Sequence, residues 1–201
     1  MIRPLLIVSL LAVGLWQIAG ATTIQAKAWL GQVLMERAWS RSRWEDSPVL
    51  PWPGAVSHPI ARLSVPGLDV DYLVLDGADT PILAWGPGME VGLNGHRLIA
   101  AHRDTHFSFL REISSGQSVQ LELANGQVEH WRVSNREIID SRGLNLNLAA
   151  SNQQMTWITC WPFDAIDSGG PMRLLVTLKR VSYFDNQLSQ TATVDTTGVA
   201  L

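Results

Sequence analysis

Short runs of alternating or β-branched hydrophobic residues recur along most of the chain, separated by turn residues such as Asn125-Gly126. Hydrophobic side chains at every second position are typical of half-buried β-strands. Helical segments interrupt this pattern around Thr80–Trp85 and Thr105–Glu112. The pattern predicts an all-β sandwich or barrel. Its eight predicted strands are Ala61–Val65, Val70–Leu75, Arg97–His102, Ser118–Leu123, Val128–Ser134, Glu137–Asp140, Met155–Cys160 and Arg173–Arg180.

The N-terminal region has a different pattern. Residues 5–24 carry no charge, and about twenty apolar residues are enough to cross a bilayer as a helix. We therefore predict a transmembrane anchor over residues 1–24. A cleaved signal peptide is the alternative, since Ala19-Gly20-Ala21 resembles a cleavage site.

The remainder of the chain divides into three predicted parts. Residues 25–57 combine an amphipathic helical pattern with a proline-rich linker. That helix lies on the membrane surface or packs on the globular domain, and the pattern does not separate the two. Residues 58–182 form the predicted barrel, and residues 183–201 form a polar, flexible tail.

The composition argues against several classes of function. The formal net charge is −3, whereas a protein that binds nucleic acid by neutralising phosphates is usually basic, so we expect no nucleic-acid partner. The chain has a single cysteine, which excludes an intramolecular disulfide framework and a zinc site with several thiolate ligands. Cys160 is therefore either a buried structural thiol or a reactive one.

Two other residues favour the reactive interpretation. Cys160 ends a predicted strand, His102 ends another, and Arg173 begins a third. If the strands that contain Cys160 and Arg173 are antiparallel neighbours, these two residues lie side by side, because paired strands are about 5 Å apart. His102 at the same rim would complete a Cys–His–Arg site.

Such a trio suits nucleophilic catalysis. A free thiol has a pKa of about 8.5 and needs a proton partner at neutral pH. A histidine can act as that partner and later protonate a leaving amine, while an arginine offers a fixed cation to an oxyanion. Zinc held by His102, His106 and Cys160 is a less favoured alternative, since the chain has no HExxH motif.

The residues around this trio resemble those of sortases, which are membrane-anchored cysteine transpeptidases with a closed β-barrel. The signature T-L-x-T-C is matched by Thr156-Trp157-Ile158-Thr159-Cys160, with Trp157 in place of leucine. The family's catalytic histidine corresponds to His102, preceded by Ala101 rather than glycine, and its arginine corresponds to Arg173. Segments 61–66, 84–88, 102–107 and 159–164 most resemble the proteobacterial branch called class GN.

The resemblance implies a closed barrel of about eight strands with short helices, preceded by a transmembrane helix. It also implies a thioester at Cys160, proton transfer by His102, and support of the substrate and oxyanion by Arg173 with Thr159 and Thr156. His106 is not expected to be catalytic.

The expected partners are a secreted target protein with an LPXTG-like sorting signal, an amine-bearing acceptor and the lipid membrane. No metal or organic cofactor is expected.

Localisation and activity each have alternatives. The resemblance implies a single pass through the cell (inner) membrane, with the catalytic domain outside the cytoplasm. Only Arg3 precedes the span while several cations follow it, which opposes export under the positive-inside rule, although long domains cross largely regardless of charge. The alternatives in activity are a cysteine peptidase that only hydrolyses and a non-enzymatic, membrane-tethered β-barrel.

Overall fold

The computed structural model describes residues 2–45, 47–142, 151–165 and 169–181. Its barrel is a single closed sheet in the order β1-β2-β3-β4-β7-β8-β6-β5, with β5 pairing back to β1. The strands are β1 (Pro59–Val65), β2 (Val70–Asp76), β3 (Gly88–Val91), β4 (Arg97–Ala100), β5 (Ser118–Leu123), β6 (Val128–Asp140), β7 (Gln154–Cys160) and β8 (Met172–Val181). This confirms the predicted closed barrel of eight strands.

Alternation along the strands builds the barrel interior. In β1 every second residue is buried, and the other side chains are partly exposed. A side-chain period of two directs one set inward and the other outward, as the sequence pattern predicts. The inward sets form one continuous core whose largest side chains include Trp131, Trp157 and Phe107, each at most 1% exposed.

Two predicted strands prove to be one. β6 runs without a break through Val128–Asp140 and pairs with β8, although the sequence predicts separate strands before and after Asn135. The register shifts between Val133 and Asn135, and the residues beyond Val133 are mostly exposed. The hydrophobic alternation therefore stops at the bulge, while backbone pairing continues past it.

The sequence pattern did not predict one of the strands. β3 has four residues, two buried and two exposed in succession, which is too short for alternation to show. It begins at Gly88, where a Cβ would lie 2.2 Å from the carbonyl oxygen of Gly77. Only glycine permits this close approach, so a residue typical of turns starts a strand here.

The helices are partly as expected. Helix α2 covers Thr80–Leu83, and a 3₁₀ helix covers Ser108–Arg111, both within the predicted helical segments. Helix α1 runs from Ile2 to Ser42 and continues through residue 24 without interruption.

Helix α1 packs against the barrel through its C-terminal half. Met35 and Trp39 are at most 3% exposed and cluster with Leu73 and Leu75 of β2, and Ala38 on the same helical face is also buried. By contrast, large apolar side chains nearer the N-terminus are exposed, for example Leu10, Leu15 and Trp16. Among the described residues, no helix is both long enough and apolar enough to cross a bilayer. The predicted tail, residues 183–201, lies outside the described residues.

Candidate active site

The C-terminal end of β7 lies between two strands that both contribute polar side chains. β8 is antiparallel to β7 on one side, and Cys160 pairs directly with Arg173 in that register. A backbone hydrogen bond of 3.0 Å from Trp161 N–H to the Met172 carbonyl continues the pairing just beyond. The structure therefore brings Cys160 and Arg173 together across the intervening loop, as neighbouring strands would.

His102 reaches the same end from the other side. β4 is parallel to β7, with Ala100 opposite Ile158, and Ala101 N–H donates to the Ile158 carbonyl at 3.4 Å. One residue further along β7, the Thr159 hydroxyl donates to the Ala101 carbonyl at 2.8 Å. The contacts between the two strands thus continue to Ala101, so the chain reaches His102 at the end of β7 that carries Cys160.

The three side chains differ in exposure. Cys160 and Arg173 are partly exposed, and His102 is exposed. A thiol that reagents can reach suits a nucleophile better than a structural filler. The Arg173 Nη1 donates to the carbonyls of Gly170 and Met172, so the guanidinium is held at the start of its own strand. A thiol, an imidazole and a guanidinium thus lie at the same end of three adjacent strands, β4, β7 and β8.

The two threonines of the motif have other partners. Thr159 is 3% exposed and faces the barrel interior, and its hydroxyl bonds to the segment that carries His102. Thr156 is 8% exposed, and its hydroxyl lies 3.0 Å from Nε2 of the buried His96. Both hydroxyls hold strands together in this structure, and their predicted support of the oxyanion stays a prediction.

His106 is half-buried and packs edge-on against Tyr72, with ring centroids 5.4 Å apart. Burial, reinforced by repulsion from His102, lowers the pKa of His106. Within the described ranges no three His, Cys, Asp or Glu side chains are grouped to hold a metal ion, so the geometry lends the zinc alternative no support.

The sequence pattern did not single out Arg103. Arg103 is 7% exposed, and its guanidinium donates to the carbonyls of Pro162 and Ala165 in the segment after Cys160. It also forms an ion pair with Asp104. An Arg-Asp pair directly after the candidate catalytic histidine was the available signal, because a buried arginine needs several acceptors.

Beneath the site, Trp157 replaces the leucine of the sortase signature. It is fully buried, and its ring centroid lies 5.7 Å from that of Phe107 and 5.8 Å from that of Phe109. Both phenylalanines lie in the segment that follows His102. The tryptophan thus packs β7 against that segment, so the substitution lies in the core and not at the exposed end of the strand.

Comparison with known proteins identifies this architecture. The family model described as "Sortase domain" matches residues 63–181, more than half of the chain. The chain belongs to the sortase family. Sortases are cysteine transpeptidases, and the matched range contains Cys160, His102 and Arg173.

One curated relative is Sortase D of Bacillus subtilis (strain 168), which is 25% identical over 126 residues. That alignment covers 60% of this chain and 63% of the relative, so the chain spans less than two thirds of the relative's length.

Solved sortase structures share the fold. Sortase A from Corynebacterium diphtheriae superposes with a TM-score of 0.54 at 22% identity, covering 76% of this chain and 84% of that one. The Clostridium perfringens Sortase D5 transpeptidase gives a TM-score of 0.54 at 16% identity, covering 76% of this chain and 99% of that one. At these identities the superpositions establish the fold alone.

Proposed function

We propose that this sortase is a membrane-anchored transpeptidase that cleaves an LPXTG-like sorting signal through a Cys160 thioester and transfers the acyl group to an amine. The observation that carries the proposal is the placement of Cys160 between Arg173 on β8 and His102 after β4.

The proposed reaction has two steps. Cys160 Sγ attacks the backbone carbonyl carbon after the threonine of the signal, and the C–N bond breaks as His102 protonates the departing amine. An incoming amine then attacks the thioester carbonyl and gives a proton to His102, and the C–S bond breaks to release the thiolate. The Arg173 cation stabilises the oxyanion that forms in each step. The reaction consumes one peptide bond and forms one amide bond.

The test incubates the full chain with an LPXTG peptide and triglycine and follows both the intact mass of the protein and the peptide products. We expect a covalent adduct on the wild type and a ligated peptide. Cys160→Ala should give neither, and cleavage by that variant would overturn the proposal.

The histidine and arginine roles have matched variants. His102→Ala should lower kcat by about a hundredfold or more, the usual contribution of a general acid. Arg173→Ala should lose about as much, by removing the cation that faces the oxyanion. His106→Ala, a few residues away, is the matched control and should keep most of the activity. Equal losses in His102→Ala and His106→Ala would contradict the assignment of His102.

Two alternatives give different products. A cysteine peptidase of the same fold would release a free acid even with triglycine in excess, whereas a transpeptidase would mainly yield the ligated peptide. A non-enzymatic barrel with a structural thiol would react slowly with a thiol reagent in the folded state, and the partial exposure of Cys160 argues against it.

Localisation in the cell (inner) membrane, with a single pass and an extracytoplasmic barrel, is part of this proposal. It is supported by the uncharged run over residues 5–24 and by exposed apolar side chains such as Leu10, Leu15 and Trp16 on α1. Fractionation of cells that express the full chain, with protease added from outside the membrane, tests both location and orientation.

Membership of the class GN branch is likewise proposed, on the sequence segments that resemble it.

A further inference from the structure

Arg103 joins the two segments that carry the proposed nucleophile and proton carrier. It directly follows His102, and its Nη2 donates to the Ala165 carbonyl at 3.0 Å while Nη1 donates to the Pro162 carbonyl. Both carbonyls belong to the segment that follows Cys160. A single buried guanidinium therefore ties the end of β4 to the end of β7.

Asp104 completes this connection. Its two oxygens accept from Arg103 Nε at 2.7 Å and from Nη2 at 2.8 Å, which is a bidentate pair. The hydrogen bonds from Arg103 lower the pKa of Asp104, so the carboxylate stays charged at neutral pH. With the guanidinium planar and paired on one edge, its remaining donors point at the Pro162 and Ala165 carbonyls.

The pair also acts electrostatically on the site. The negative charges of a Cys160 thiolate and of Asp164 help to raise the pKa of Arg103, and the positive charges of Arg111 and His102 help to lower the pKa of Asp104. The cation of the pair therefore acts at a distance on Cys160, and its carboxylate acts at a distance on His102. A change in either member should alter the potential at the thiol, and the two changes should have opposite sign.

We propose that Arg103 and Asp104 act together as positioning residues, with Arg103 holding the segment after Cys160 against the segment of His102 and the pair setting the charge around the thiol. This inference rests on the proposed roles of Cys160 and His102. Neither residue touches the reacting atoms, so the expected effects pass through the position and reactivity of the cysteine.

The experiment measures alkylation of Cys160 in the full chain by neutral iodoacetamide and by anionic iodoacetate, followed by intact mass. The chain has one cysteine, so each added mass reports on Cys160 alone. The ratio of the iodoacetate rate to the iodoacetamide rate measures the local charge and is independent of overall loosening of the segment. Circular dichroism and thermal unfolding establish the folded fraction of each variant.

Arg103→Met should lower that ratio about threefold, because a cation is lost and Asp104 is left unpaired. Asp104→Asn should raise it about twofold, because Arg103 loses its counter-charge. Arg103→Lys should restore the ratio to near the wild-type value, yet it should leave the iodoacetamide rate about tenfold low, since one ammonium cannot bond both carbonyls and Asp104.

The matched control is Arg111→Met. Arg111 also contacts the segment after Cys160, through a 3.1 Å hydrogen bond from Nη2 to the Phe163 carbonyl and by stacking on the Phe163 ring. It is exposed and lies on the 3₁₀ helix, so its removal should leave the iodoacetamide rate within about twofold of the wild type, against the tenfold loss expected of Arg103→Lys.

Some outcomes overturn the proposal. One is a ratio of iodoacetate to iodoacetamide rates that changes in the same direction in Arg103→Met and Asp104→Asn, or that changes in neither variant. Another is a loss of alkylation that only follows the unfolded fraction. If Arg103→Met does not fold, Asp104→Asn and Arg103→Lys decide the question alone. Because alkylation needs no sorting peptide, a failure of the LPXTG assay leaves this result readable and bears only on the substrate class.

Discussion

Helix α1 lies close to Trp85 at position 31, where the chain has no side chain. A Cβ added at Gly31 would lie 2.3 Å from Cζ3 of Trp85, about 1.1 Å short of ordinary contact at 3.4 Å. The indole has little room to move away, since Trp52 packs against it at a tilt of 57° with 4.8 Å between centroids, and the Gln32 side chain donates to the Trp85 carbonyl at 3.2 Å. We predict that Gly31→Ala weakens the docking of α1 on β2 and α2.

Two opposing terms set the magnitude. Replacing a helical glycine by alanine stabilises a helix by about 1 kcal/mol, whereas overpacking a filled interface costs about 1–3 kcal/mol. The net effect of Gly31→Ala should therefore lie between no change and a loss of about 2 kcal/mol. Gly20 is the matched control in the same helix, because a Cβ there meets nothing within 4 Å. Gly20→Ala should show only the favourable term, and the two variants should differ by the overpacking cost.

The assay is hydrogen exchange of the α1 amides in detergent micelles, combined with urea unfolding followed by tryptophan fluorescence. In Gly31→Ala, amides near Met35 and Trp39 should exchange faster, while those of β7 and β8 keep their protection. Stabilisation of Gly31→Ala equal to that of Gly20→Ala would falsify the reasoning, because it would mean that the Trp85 contact does not constrain the helix.

Two further predictions concern the threonine hydroxyls and the buried histidines. Thr159→Val keeps the side-chain shape but removes the hydrogen bond to the segment of His102, so it should cost about 1 kcal/mol of stability and lower kcat about tenfold. Thr156→Val leaves Nε2 of His96 without its partner, so it should cost about 1–3 kcal/mol of stability yet keep kcat within about threefold of the wild type. Urea unfolding and peptide kinetics on both variants give the comparison. Equal losses of kcat in the two variants would refute this distinction between the threonines. Burial lowers the pKa of His96 and His106, so the unfolded chain binds protons first as the pH falls below the ordinary value of 6.5, and stability should decrease between about pH 7 and about pH 5. His106→Phe should flatten that slope in thermal unfolding measured across the window, and an unchanged slope would contradict the assignment.

Local sequence patterns predicted much of the fold. Alternation alone located most strands and their inward faces, because an inward set must be apolar wherever a barrel closes around it. It failed at β3, where four residues are too few to show a period, and at β6, where the bulge after Val133 ends the alternation without ending the strand.

Some residues of the candidate site could be found from the sequence, and others could not. Cys160 stood out as the lone cysteine at a strand end, and the motif that ends in it pointed to His102 and Arg173. Arg103 did not stand out, because burial of a loop arginine depends on the Pro162 and Ala165 carbonyls, which are far away in the chain. No local pattern contains that contact.

By itself, the sequence determined most of the segments that become strands, which of their side chains face the core and which residue types could carry thiol chemistry. These properties follow from the period of the backbone and from the chemistry of each side chain. Only the tertiary structure decided that β7 lies between β4 and β8, that Arg103 joins their ends and that α1 docks through Gly31. The physical reason is that a strand's period fixes its faces but not its neighbours, which depend on hydrogen-bond pairing and packing between segments far apart in the chain.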